Sequence, residues 1–125
     1  MSEEKNLQVA VNYYDAMLNK NFEVMAEYLN KDIHFITPLA EICGKEGVMN
    51  AAKNFGKLLQ NISITSQFTN NDQVMLAYNM TIPQPIGEFR ASALMNFKNG
   101  QIIKIELFYD ARPFEAKKDE IFKKQ

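Results

Sequence analysis

Residues 102–114, IIKIELFYDARPF, constrain this chain more than any other stretch. Ile103, Ile105, Leu107 and Tyr109 alternate with Lys104, Glu106, Phe108 and Asp110, and a period of two marks a β-strand with one buried face. The other face is itself partly apolar, which places the strand centrally in its sheet. Asn99-Gly100 just upstream is a hairpin signal, so residues 88–98 are expected to pair antiparallel with 101–110.

Ahead of that hairpin the pattern changes twice. Residues 3–20 read as a helix, with Leu7, Ala10/Val11, Tyr14 and Met17/Leu18 at helical spacing and Ser2, Glu3 and Glu4 suited to its start. After a break at Asn19-Lys20-Asn21, residues 22–29 form a short second helix. Asn30-Lys31-Asp32 turns the chain into a strand at 33–37, which Pro38 ends. Residues 39–44 read as a loop, and 45–60 as a third helix with Val48, Ala51/Ala52, Phe55 and Leu58/Leu59 on one stripe. Strands follow at 62–69 and 73–82, and Pro83 to Gly87 form a loop before the last two. Strands that cluster after helices give an α+β fold. A curved sheet wrapped on three helices leaves a cavity, because helices do not fill a deep concave face.

With 125 residues the chain is expected to be one domain, spanning 1–125 with its core at 7–114 and a charged, frayed tail at 115–125. The formal net charge of −1 supplies no electrostatic footprint for nucleic acid or an anionic membrane. A single cysteine excludes an intrachain disulfide and a four-cysteine zinc site, and no residue pattern calls for a metal or cofactor. Met1 to Asn6 is polar and acidic, and no apolar run is long enough to span a membrane, so the expected location is the cytoplasm.

The element order, with YYDAMLNKNFEVMAEYLNKDIHFITP, GKEGVMNAAKNF and FKNGQIIKIELFYDARPF, resembles the nuclear-transport-factor-2-like superfamily, in particular its SnoaL-type, polyketide-cyclase-like branch. The resemblance implies a cone-shaped α+β barrel. That superfamily holds isomerases, dehydratases, hydrolases, cyclases and non-catalytic dimerisation modules, so fold alone does not settle function. In ketosteroid-isomerase relatives the proton-shuttling carboxylate matches Thr37 here, the protonated acid of the oxyanion hole matches Ala93, and only the first-helix tyrosine remains, as Tyr14. A threonine hydroxyl is no base near neutral pH. In limonene-epoxide-hydrolase relatives the catalytic aspartate matches Leu107.

The same register assigns a cavity wall: Tyr14, Met17, Phe35, Thr37, Phe55, Tyr78, Met80, Ala91, Ala93, Met95, Leu107 and Tyr109, with Ile103 and Ile105 alongside. Apolar walls with a few hydroxyls are the profile of a small-molecule pocket, and Ala91 and Ala93 leave room in it. A tyrosine in such a place is more often core packing around a hydrogen-bonded tip, and Tyr14 stands apart because the resemblance gives its position a function. Tyr14 is the candidate hydrogen-bond donor, and Glu41 the candidate catalytic carboxylate with Asp15 behind it. Cys43, His34 and Asp110 make an imaginable nucleophilic set, but their expected faces oppose one another. Asp110 before Ala-Arg-Pro reads as a turn cap. The opposite sheet face carries Arg90, Leu94, Glu106 and Phe108, an apolar pair among polar residues, which suits a two-fold homodimer in which Arg90 faces Glu106. Two readings follow: a small-molecule protein, or a dimerisation module.

Overall fold

The computed structural model describes residues 3–122. Ser2, read above as part of a helix start, and the last three residues of the expected tail lie outside that range. The described elements are α1 (Glu3–Leu18), α2 (Phe22–Glu27), β1 (Leu29–Ile36), β2 (Glu41–Cys43), α3 (Lys45–Leu58), β3 (Asn61–Asn70), β4 (Gln73–Thr81), β5 (Glu88–Lys98), β6 (Gln101–Tyr109), a 3-10 helix (Arg112–Lys117) and α4 (Lys118–Ile121). Six strands form one curved, unclosed sheet in the order β2-β1-β6-β5-β4-β3, and the helices of the N-terminal half cover its inner face.

Every neighbouring pair is antiparallel except β1 with β6, which run parallel. The β5–β6 turn follows from its two residues: Asn99 at φ 53° and Gly100 at φ 82° both sit in the left-handed region that a two-residue hairpin demands. On β4 the burial alternates without a break, so that Val74, Leu76, Tyr78 and Met80 face inward. Helix α3 approaches α1 and α2 closely at Gly56, where a Cβ would stand 2.8 Å from a Phe22 ring carbon and 3.2 Å from Met17 Cγ. Lys20 fastens the same corner by donating through Nζ to the carbonyls of Gly56 and Leu59.

Four expectations need correction. Residues 41–43, expected in a loop, form β2, because they find a partner in β1: Phe35 pairs with Ile42 and Ile36 with Glu41. The turn expected at Asn30-Lys31-Asp32 lies within a longer β1. It survives as an irregularity in the β1–β6 ladder, with Asn30 Oδ1 accepting the Asp32 N–H at 2.9 Å. On β6 the residue facing inward is Ile102, not Ile103. A bulge beside Asn96 and Phe97 pairs Phe97 with Ile102 but Asn96 with Lys104, which leaves Ile103 as the extra residue. Finally, residues 115–122 of the expected tail are not frayed: Ile121 is buried, and Asn54 Nδ2 donates to the Ile121 carbonyl at 3.1 Å.

Candidate functional site

Three residues in register frame the site. Ala91 on β5 lies between Tyr78 on β4 and Tyr109 on β6, and a methyl flanked by two phenol rings leaves open space above the sheet. That space is a cavity of about 70 Å³. One water needs roughly 10–15 Å³ by this measure, so the cavity has room for a small organic ring system. Helix α1 lines it with Tyr13, Tyr14 and Met17, α3 with Ala51, Ala52 and Phe55, and the sheet with Phe35, Tyr78, Met80, Phe89, Ala91, Ile105, Leu107 and Tyr109. Phe114, Ile121 and Phe122 complete the wall.

Two aromatic groups divide the lining. Phe89 and Phe114 meet edge to face at 4.9 Å, Tyr109 and Phe114 at 5.1 Å, and Phe55 joins through Phe89 at 6.4 Å. Such contacts fix ring orientation beyond simple burial. The second group is polar. Tyr14 and Tyr78 share a hydrogen bond between their hydroxyls at 3.0 Å, and Tyr13 packs edge-on against Tyr14 with ring centroids 5.2 Å apart. Burial pushes all three phenols well above their ordinary acidity range, so they stay neutral at any physiological pH. Tyr109, half-buried, is also raised by burial, and the neighbouring Thr37 hydroxyl opposes the shift. None of the lining residues carries a carboxylate, an imidazole or an amine. The wall can therefore donate hydrogen bonds to a neutral acceptor and enclose an apolar body, but it holds no base for neutral pH.

Of the wall expected from the sequence, the structure brings together Tyr14, Met17, Phe35, Phe55, Tyr78, Met80, Ala91, Leu107 and Tyr109. Thr37, Ala93 and Met95 do not line the cavity. The Thr37 hydroxyl is engaged in its own turn, accepting from the Leu39 and Ala40 N–H groups at 3.0 and 2.9 Å and facing the Ala40 carbonyl at 3.2 Å. Ala93 pairs with Leu76 and Leu107, and Met95 with Val74 and Ile105. In that part of the sheet Val74, Leu76, Ala93, Met95 and Ile105 are fully buried, so the core has closed over it.

The carboxylate candidates face elsewhere. Glu41 is exposed on β2 and contacts His34, Oε2 to Nε2, at 2.6 Å, and Asp15 is exposed on α1. His34 and Cys43 are direct cross-strand partners, contrary to the faces expected for them. Their supposed third member, Asp110, lies beyond the end of β1 and is engaged by Arg112, Nη2 to Oδ2 at 2.7 Å, which holds its pKa down at about 2. Asp110 also accepts the Arg112 backbone N–H at 3.0 Å, as a turn cap does.

Sequence reasoning missed Tyr13. Its signal is a second helical stripe, Asn6, Ala10, Tyr13 and Met17, all buried beside the stripe that carries Tyr14. It also missed Phe114, Ile121 and Phe122, because the charges around Ile121-Phe122 read as a solvated end. Among the described residues, no group of three or more His, Cys, Asp or Glu side chains gathers as a metal site would require. No described helix is long and apolar enough to cross a membrane.

The family model of the SnoaL-like domain matches residues 10–105. The chain belongs to the SnoaL-like domain family. No curated protein matches this SnoaL-like chain. Its fold is similar to that of a nuclear-transport-factor-2-like protein from Cytophaga hutchinsonii (22% identity, 87% of this chain and 93% of that one, TM-score 0.77). It is similar also to a steroid delta-isomerase from Pseudomonas aeruginosa (14% identity, 96% and 90%, TM-score 0.78). A de novo designed protein with a curved β-sheet superposes at TM-score 0.86 with 17% identity over 98% of each chain. At such identities the likeness is one of fold.

Proposed function

We propose that this SnoaL-like protein binds a neutral, mostly apolar small molecule in its cone, with an acceptor oxygen of the ligand held at the Tyr14–Tyr78 pair. The observation that carries this reading is a cavity whose wall is apolar except for phenolic hydroxyls. One hydroxyl of the pair donates to the other, and the second proton is free to donate into the cavity. An anion would meet no cation there, and burying an unpaired charge is strongly unfavourable. A carbonyl or ether oxygen meets a matched donor.

Among the chemistries that the superfamily offers, isomerisation, cyclisation and hydrolysis each need a group to move a proton. The lining supplies neutral tyrosines only, so we read binding as the primary activity. Mixing the protein with a β,γ-unsaturated ketosteroid tests this: no Tyr14-dependent conversion is expected, and rapid conversion would overturn it. Calorimetric titration with neutral aryl ketones and with the matching carboxylates tests binding, and saturable binding of the ketones alone is expected.

A second reading rests on a separate observation. Phe68 and Phe108 are 64% and 44% exposed, large apolar side chains on the outer sheet face. The ladder aligns Phe68, Met75, Leu94 and Glu106 across four strands, with Phe108 beside them opposite Ser92. We propose that two copies pack through this face as a homodimer. Arg90 and Glu106 have no ion-pair partner among the described residues, and a two-fold axis lets each meet the other. Dimerisation through the outer face and ligand binding inside the cone are compatible.

A further inference from the structure

Tyr13 poses a question that the Tyr14–Tyr78 pair does not answer. It is 2% exposed and lines the cavity, yet among the described residues nothing accepts from its hydroxyl or donates to it. Native interiors pair their polar groups almost without exception, so an orphaned buried hydroxyl needs a reason. Phenylalanine would fill the same volume without the penalty. The ring is not displaced from the polar group: it packs edge-on against Tyr14 at 5.2 Å, and the Tyr14 ring lies 4.9 Å from that of Tyr78.

The protons can be counted. Three phenols carry three O–H protons, and the Tyr14–Tyr78 bond consumes one. One remains on that pair and one on Tyr13. The two are borne on separate rings, so they address separate points of a ligand. We propose that Tyr13 is a specificity-determining residue, whose free proton selects neutral ligands that carry a second acceptor oxygen beyond the one held at the Tyr14–Tyr78 pair. A compound with two neighbouring carbonyl oxygens satisfies both donors, whereas one with a single carbonyl leaves the Tyr13 hydroxyl buried and unpaired. Recognition of this kind discriminates strongly, because the cost falls on the ligand that lacks the group. The apolar body of such a ligand lies against Phe55, Phe89 and Phe114.

This inference rests on the binding reading above, and its test separates the two. Acetophenone and 1-phenylpropane-1,2-dione differ by the second carbonyl and are both neutral. Their dissociation constants are measured for wild type, Tyr13→Phe and Tyr78→Phe, together with the melting temperature of each empty protein. Wild type is expected to favour the dione, and Tyr13→Phe to lose about five- to tenfold in dione affinity while binding acetophenone unchanged. Tyr78→Phe is expected to weaken both. Empty Tyr13→Phe should melt at or above the wild-type temperature, since it removes an unpaired hydroxyl. Equal affinities of wild type for the two probes, or a dione preference that survives in Tyr13→Phe, would overturn the role of Tyr13 and leave the binding reading standing. A clear drop in the melting temperature of empty Tyr13→Phe would also overturn it, by revealing a structural partner for the hydroxyl. If neither probe binds wild type, the binding reading fails and this inference fails with it.

Discussion

The Tyr14 hydroxyl stands 3.0 Å from the Tyr78 hydroxyl, joining α1 to β4 across 64 residues of chain. Both rings are about 3% exposed. A hydrogen bond in that setting closes the cone at one point and leaves the space over Ala91 open. The consequences can be measured.

Ala91 and Ala93 sit two residues apart on the same strand face, yet only Ala91 borders the cavity. Ala91→Phe is expected to fill the opening, leave the melting temperature within a few degrees of wild type and abolish binding of aryl ketones. Ala93→Phe forces a ring between Leu76 and Leu107 and should cost roughly 1–3 kcal/mol in chemical denaturation. Equal destabilisation by both changes would show that the space over Ala91 closes in solution.

Alkaline pH should expose the three buried phenols. In the unfolded chain they titrate near the ordinary value of 10.0, while in the native state they hold their protons to higher pH. Between those limits the unfolded state binds fewer protons, so stability is intact below about pH 10 and falls as pH rises beyond it. Each phenol contributes a slope of about 1.4 kcal/mol per pH unit. Urea unfolding between pH 8 and 12 reads this, and Tyr78→Phe should show a shallower decline than wild type. Identical slopes would mean that Tyr78 is accessible to hydroxide in the folded protein.

Phe108→Lys places a charge in the outer apolar row and is expected to convert a dimer into a monomer at micromolar concentration, read by light scattering. Phe68→Lys should act in the same direction, since the two rings lie on one face. A monomeric wild type would remove the dimer.

Phe114 packs on both Phe89 and Tyr109, so Phe114→Ala is expected to cost about 3–5 kcal/mol, as buried aromatic truncations do. The same change widens the cavity and should accelerate ligand release in stopped-flow displacement. A variant as stable as wild type would restore the picture of a loose C-terminal segment.

What the sequence disclosed and what it concealed follow from how each segment is stabilised. On β4 one face is buried from end to end, so Val74, Leu76, Tyr78 and Met80 could be assigned by alternation alone. On β6 the same rule failed, because the bulge at Ile103 shifts the period by one and its cause is the pairing with β5, which no single segment reveals. The end of the chain failed for a different reason. Ile121 and Phe122 are two apolar residues among charges, too few for a periodic signal, and their burial depends on the aromatic wall they meet. Tyr13 was legible in principle, but two adjacent tyrosines on one helix compete for the label of inward residue. The cone has room for both.

The parallel pairing of β1 with β6 bears on the order in which the molecule is made. Leu29 pairs with Ile102 and Phe35 with Ile105, so the first strand gains its central neighbour only when almost all of the described chain has been synthesised. Until then β1 has β2 alone beside it, a three-residue strand, and the apolar faces of α1 and α3 have no finished sheet to cover. Non-local pairing of this kind slows folding and prolongs the exposure of apolar surface. The central pairing of the sheet is therefore among the last to become available to a growing chain, and it is closed by the strand with which the sequence is most emphatic.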